Sequence, residues 1–241
     1  MSDEKIKAEA NFHDSRIINE KEKRLGFAYA SVHDVFCFTL QYFTRSDEKI
    51  LEIGCFDGQQ ADALKRNSFE SYIGVDISPK AIDVCKSRVS DKRMEFFVDD
   101  AESLNKISNE AVSYVFGSGV LHHLNLEKFS KALHRVLQKG GVARFVEPAQ
   151  GPWMLKVFRK MTPSFRTKDE YPFDEASINV LRKYFDVEVY RSAYVRPWIP
   201  ILFANAEFAT NISRWIDKRC AAIKILDNQA WLLKIELRKR I

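Results

Sequence analysis

Lys49-Ile50-Leu51-Glu52-Ile53-Gly54-Cys55-Phe56-Asp57-Gly58, running on through a polar segment to Ser71-Tyr72-Ile73-Gly74-Val75-Asp76, decides how this chain folds. The apolar run Ile50–Ile53 has the length of a buried strand, and it breaks at a corner bounded by Gly54 and Gly58. A helix-competent stretch follows to about Asn67, and a second apolar run, Tyr72–Val75, ends on a single acid, Asp76. Strand, glycine corner, helix, strand, acid is the order of a nucleotide-binding βαβ unit, whose terminal carboxylate can hold the two hydroxyls of a ribose.

The corner narrows the choice of nucleotide. A dinucleotide fingerprint places glycine at its first, third and sixth positions, so that backbone can approach a pyrophosphate. Counted from Gly54, those later positions are Phe56 and Gln59, so a nicotinamide oxidoreductase is disfavoured. A P-loop would end in Gly-Lys-Ser/Thr, whereas the chain has Gly58-Gln59-Gln60. Glu52, two residues before the first glycine, would repel phosphate but suits a ligand carrying ammonium and sulfonium groups. With Glu52, Gly54 and Gly58 in place, the stretch resembles the first motif of the class I S-adenosylmethionine-dependent methyltransferases, acid-x-Gly-x-Gly-x-Gly. Phe56 stands where the middle glycine is usual. The resemblance implies S-adenosyl-L-methionine as cofactor, held by Glu52, Gly54, Cys55, Gly58, Asp76 and Ile77.

Two further strings extend the resemblance. After a third strand, Met94–Val98, come Asp99-Asp100-Ala101. Members of this class contact the adenine from that place, which implies Asp100 on the amino group and the amide of Ala101 on a ring nitrogen. Capping of the next segment is the alternative, and it suits Asp99 best. A fourth strand, Ala111–Phe116, leads into Gly117-Ser118-Gly119-Val120-Leu121-His122-His123-Leu124. Gly117 and Gly119 let backbone crowd the cofactor. Leu-His-His-Leu is typical of the family's small-molecule branch, and the Asn/Asp-Pro-Pro-aromatic string of base-amine methyltransferases is absent. Then follow a helical face (Leu126, Phe129, Leu133, Val136, Leu137), the end of that helix at Gln138-Lys139-Gly140-Gly141, and a fifth strand, Val142–Val146, finishing at Glu147-Pro148. The match in family order covers about Lys49 to Pro148. It implies His122 or His123 as base toward an acceptor hydroxyl, with Glu147 as a substrate-binding or orienting carboxylate.

Composition fits one domain, with or without a small cap. A net charge of +5 over 241 residues is compatible with phosphate-bearing substrates or an anionic surface, but also with simple solubility. Cysteines at 37, 55, 85 and 220 have neither zinc-site nor disulfide spacing. No metal is expected, and reduced thiols suit the cytoplasm. The charged start MSDEKIKAEA is unlike a signal peptide, and no stretch approaches the roughly 20 apolar residues of a spanning helix.

The expected architecture is α/β, a Rossmann-like seven-stranded mixed sheet with helices on both faces. Its last strand is antiparallel, and a helical cap is inserted before that strand. Residues 1–24 read as a flexible N-terminal arm or lid and 25–241 as the methyltransferase domain, with its core at 49–148. Regions 149–184 and 196–230 are expected to shape the acceptor pocket. A helix is expected over Phe27–Phe43 with His33 and Cys37 as packing residues, another over Ser78–Val89, and one over Ile178–Phe185. Strands six and seven fall at Val187–Tyr190 and Trp231–Leu237. Candidate substrate residues are His13 on the arm and Arg159, Arg166 and Glu170 after the fifth strand. A loose surface histidine and a salt-bridged loop are the respective alternatives. The aromatic and apolar stretch 196–230 reads as a helical cap, with a homodimer face or a peripheral lipid contact as alternatives. The expected activity is O-methylation of a small-molecule, glycan or lipid-type acceptor. A catalytically silent binding protein and a nucleic-acid methyltransferase are the rival readings.

Overall fold

The computed structural model describes residues 32–40, 46–151, 173–194 and 206–240. Within them, α1 (His33–Phe36) runs into a 3-10 turn at Cys37–Thr39 and then β1 (Lys49–Ile53), α2 (Gln59–Leu64) and β2 (Ser71–Asp76). Next come α3 (Pro79–Arg88), β3 (Met94–Val98), β4 (Val112–Ser118), a 3-10 turn at Leu121–His123, α4 (Leu126–Val136) and β5 (Leu137–Pro148). The chain ends with α5 (Glu175–Arg182), β6 (Phe185–Ser192), α6 (Ala206–Cys220), a 3-10 turn at Lys224–Gln229 and β7 (Leu232–Lys239). The strands form one sheet in the order β3-β2-β1-β4-β5-β7-β6. Strands β1 to β5 pair in parallel, whereas β7 lies antiparallel between β5 and β6. This is the expected seven-stranded mixed sheet.

Strands covered on both faces read as unbroken apolar runs, and β1 shows why. Leu51 and Ile53 point into a core built with Phe129, Leu133 and Val136 of α4 and Ile178 and Leu181 of α5. Ile50 points the other way, to Ala61 and Leu64 of α2 and Ile82 and Cys85 of α3. Burying each such side chain contributes about 1.5–3 kcal/mol. Beside α2 and α3 on the second face, Val32, Val35 and Phe38 pack on Val146 and Ala193.

Local capping sets the helix starts. The Ser78 hydroxyl accepts from the Ala81 amide at 3.0 Å, with Pro79 in the first turn, an arrangement worth about 1 kcal/mol. Asn125 and Asp174 do the same for α4 and α5.

Several expected boundaries shift. The described part of the helix expected over Phe27–Phe43 is a single α turn that tightens into a 3-10 turn. The fourth strand continues to Ser118, since Gly117 and Ser118 still pair with Phe145 and Val146. Gln138–Gly141 is strand rather than helix end, because Leu137 already pairs with Val112. α5 stops at Arg182, and Phe185, fully buried, opens β6 by pairing with Lys239.

Candidate active site

The described residues among those singled out from the sequence gather at the carboxyl ends of β1 to β5, the edge at which an open α/β sheet takes its ligand. Direct bonds stitch this edge together. The amides of Gly54 and Cys55 donate to the Val75 carbonyl at 2.8 and 3.1 Å, the Asp99 amide to the Asp76 carbonyl at 3.1 Å, and the Gly119 amide to the Val146 carbonyl at 2.8 Å.

In the corner after β1, Gly54 and Gly58 take φ of +73° and +75°, and Phe56 also has a positive φ, +44°. A bulky residue there is strained by roughly 1–3 kcal/mol. The corner keeps this conformation because the Phe56 amide donates to Asp76 Oδ2 at 3.0 Å. Phe56 thus reproduces the backbone shape for which the middle glycine is usual. Asp76 Oδ1 accepts from the Ser78 amide at 2.9 Å, so the carboxylate is clamped from both sides at the end of β2. Each carboxylate oxygen can accept more than one hydrogen bond, which suits a ribose diol. Ile77 is half-buried in the bend between them.

Gly117 marks where backbone runs closest: a Cβ there would lie 2.8 Å from the Ile53 carbonyl oxygen. Gly119 turns with φ +65°. The Ser118 hydroxyl between them is buried and has no hydrogen-bond partner among the described residues. Asp99 organises the loop after β3, accepting from the amides of Asp100 and Lys106 at 2.9 and 3.0 Å, and Asp100 shares the capping. Asp100 Oδ1 takes the Glu102 amide at 2.9 Å, and Asp100 and Ala101 are half-buried at the edge.

Glu52 requires a revision. It is buried, and the Tyr72 hydroxyl donates to it. Burial, with smaller contributions from the charges of Asp76 and Asp57, raises its pKa to about 8 despite that hydrogen bond. At neutral pH Glu52 is therefore mainly protonated and does not supply the fixed negative charge expected of it. At the same corner Asp57 is bridged to Arg88 at 2.8 Å. Cys55 is buried with its Sγ 3.7 Å from that of Cys85. The contact with Cys85, together with burial, holds its thiol well above the ordinary range.

Glu147, fully buried at the end of β5, gathers the loop that follows β4. Its Oε1 accepts from the amides of Val120 and Leu121 at 3.0 and 2.9 Å. Its Oε2 lies 3.3 Å from the His122 amide and 2.7 Å from His122 Nδ1. The His123 ring packs on that of His122, with centroids 4.1 Å apart. The tautomer that donates Nδ1–H to Glu147 leaves the ring's lone pair on Nε2.

Several partners escaped the sequence reading: Tyr72, Ser118, Asp57, and the amides of Val120 and Leu121. Only Asp57 had a local signal, an acid two residues before Gln59, whose amide it caps at 3.3 Å. His13, Arg159, Arg166 and Glu170 lie outside the described residues. So does most of the region 149–172. Within the 196–230 stretch, Ala206–Cys220 and Lys224–Gln229 are helical. No group of side chains suited to a metal ion occurs among the described residues.

Residues 51–145 match the family described as Methyltransferase domain. A Mycobacterium leprae phthiotriol/phenolphthiotriol dimycocerosates methyltransferase is 34% identical over 98 residues, which make up 40% of this chain; the chain spans 36% of that relative's length. A chain of the complex between the Haloferax volcanii Trm112 methyltransferase activator and a methyltransferase superposes with a TM-score of 0.69 at 14% identity, covering 95% of this chain and 98% of that one. The Haemonchus contortus phosphoethanolamine N-methyltransferase 2, solved with phosphomonomethylethanolamine and S-adenosylhomocysteine, gives 0.60 at 20% identity over 84% of this chain and 52% of that one. Taken with the sheet order and the clamped corner, residues 51–145 are similar to a methyltransferase domain, and the fold is that of solved methyltransferases holding S-adenosylmethionine or S-adenosylhomocysteine.

Proposed function

We propose that the chain transfers the methyl group of S-adenosyl-L-methionine to a hydroxyl of a small-molecule, glycan or lipid-type acceptor, working in the cytoplasm. The observation that carries the O-methylation reading is the contact between buried Glu147 and His122 at the strand edge. A hydroxyl must lose its proton to become a nucleophile, and a positioned base supplies typically 10²–10⁴-fold.

The bound cofactor supplies an electrophilic methyl and a neutral sulfide leaving group. Asp76 holds the ribose hydroxyls, Asp100 and the Ala101 amide read the adenine, and Gly54, Gly58, Gly117 and Gly119 let backbone close around the ligand. Cys55 and Ile77 line the same crevice, and Glu52 closes its floor as a neutral acid. Glu147 fixes the tautomer and direction of His122, whose Nε2 takes the acceptor proton, while His123 flanks the acceptor. His13, Arg159, Arg166 and Glu170 are proposed to bind the acceptor. The Mycobacterium leprae relative acts on phthiotriol and phenolphthiotriol dimycocerosates by its name, which favours a lipid-type acceptor among the three. The remaining work is alignment of two reactants and exclusion of water.

The test is methyl transfer from labelled cofactor across hydroxylated lipids, glycans and matched amines, using the native chain and His122→Ala. Transfer to hydroxyls that collapses in His122→Ala with cofactor binding intact is expected. Transfer confined to amines and indifferent to His122 would remove the O-methylation reading. Cofactor binding with no transfer to any acceptor would favour the silent binding protein, and transfer to RNA or DNA the nucleic-acid enzyme.

A further inference from the structure

Four of the five large apolar side chains exposed among the described residues fall in one short stretch. Ile212 is 45% exposed, Trp215 59%, Ile223 47% and Ile225 86%. Ile212, Trp215 and Arg219 share one stripe of α6, at the helical spacing i, i+3, i+7. Ile223 and Ile225 continue beyond the end of the helix. Arg214, Lys218, Arg219 and Lys224 are interleaved with them. The only acid in 212–225, Asp217, is turned inward, where it accepts from the Tyr194 amide at 3.0 Å. Arg214 is shared with Asp34 at 3.6 Å, and the Arg219 guanidinium lies 4.8 Å over the Trp215 ring. The face is therefore apolar, aromatic and cationic together.

Its position matters. The segment leaves the sheet after Ser192 and returns at Leu232, and these two residues pair with each other while Leu232 also pairs with Pro148. Both ends thus attach at the same edge of the sheet as Glu147.

We propose that this face docks the protein on an anionic lipid bilayer, with Trp215, Ile212, Ile223 and Ile225 entering the headgroup boundary and Lys218, Arg219 and Lys224 meeting lipid phosphates. A second copy is a poorer occupant, because a two-fold contact would bring two cationic patches together. Nucleic acid offers phosphates and bases but nothing to cover Ile223 and Ile225. The inference goes beyond methyl transfer and stands on its own observations. It adds that a lipid acceptor would be met at the membrane surface rather than in solution.

The experiment is co-sedimentation of the whole chain with vesicles of phosphatidylcholine alone or mixed with phosphatidylglycerol, at low and high salt. Quenching of tryptophan fluorescence by brominated lipid is followed in the native chain and in Trp215→Phe. Binding to the anionic vesicles that weakens with salt, with quenching largely lost in Trp215→Phe, is expected. The double variant Trp215→Glu/Ile225→Glu should lower partitioning by roughly tenfold or more. Its thermal melt and its calorimetric titration with S-adenosylmethionine should be unchanged, since both sites are exposed, so a failure here is separable from a failure of the methyltransferase reading. Absence of binding to anionic vesicles, or binding indifferent to the double variant, would overturn the proposal. So would finding that the variant instead dissociates a dimer in sedimentation velocity or abolishes retention of RNA on a filter.

Discussion

His122 Nδ1 lies 2.7 Å from Glu147 Oε2, and that carboxylate is closed off from solvent while it also receives backbone amides from the loop that carries the histidine. One buried side chain thereby sets both the path of the loop and the orientation of its imidazole. Mutation probes both functions. His122→Ala is expected to lower kcat by about 10²–10⁴ and, by taking a donor from buried Glu147, to lower the melting temperature as well. Glu147→Gln keeps the volume but turns an amide N–H₂ toward donors. It should cost about 1–3 kcal/mol of stability and lower kcat as well, read by urea titration alongside turnover.

Asp76 joins the glycine corner to the ligand edge by accepting from the amides of Phe56 and Ser78. Asp76→Ala should weaken S-adenosylmethionine binding by roughly 1–3 kcal/mol, measured calorimetrically. Asp76→Asn, which preserves one acceptor oxygen, should lose less. Undiminished affinity in Asp76→Ala would end the ribose assignment.

Stability should carry the imprint of Glu52. Its carboxyl titrates near 8 in the folded chain against about 4.5 when solvated. Between those values the folded state holds more protons than the unfolded one, so the contribution is complete below about pH 4.5 and is lost as pH rises to about 8. The slope is at most about 1.4 kcal/mol per pH unit. Glu52→Gln cannot ionise and should flatten that slope, so that it overtakes the native protein at pH 9 in urea unfolding. Parallel pH profiles for the two proteins would contradict the buried neutral acid.

Phe56 is held in its left-handed backbone by Asp76 on its amide and Cys85 Sγ on its carbonyl. Phe56→Gly should therefore leave cofactor affinity unchanged. Phe56→Val, branched at Cβ, should lose roughly 1 kcal/mol more in stability than the phenylalanine, seen as a lower melting temperature.

Much of the sheet was legible because a strand buried on both faces must be apolar along its length, as Ile50–Ile53 and Tyr72–Val75 are. The Ser78-Pro79 start of α3 was legible because capping is local chemistry. The reach of β5 back to Leu137 was not, since Gln138-Lys139-Gly140-Gly141 looks like a helix end. It pairs through Leu137 with Val112, a partner far away in sequence. The candidate site divides along the same line. Gly54, Gly58, Asp76 and Gly117 could be placed near the ligand edge because the apolar strands leading to them were legible. The neutral state of Glu52 was hidden because it depends on desolvation that outweighs the hydrogen bond from Tyr72, and Glu147's grip on Val120 and Leu121 was hidden because it closes across the sheet.

The Ala193 carbonyl receives the Trp231 amide at 3.2 Å, so the long excursion between β6 and β7 begins and ends at a single cinched neck. Closing a loop costs only slowly more as it grows, so a tied neck limits what the excursion's length costs the sheet. The excursion is in this sense a replaceable fitting. Exchanging residues 194–230 for the matching segment of another such enzyme should transplant its choice of acceptor or surface without rebuilding the strands that hold the methyl donor.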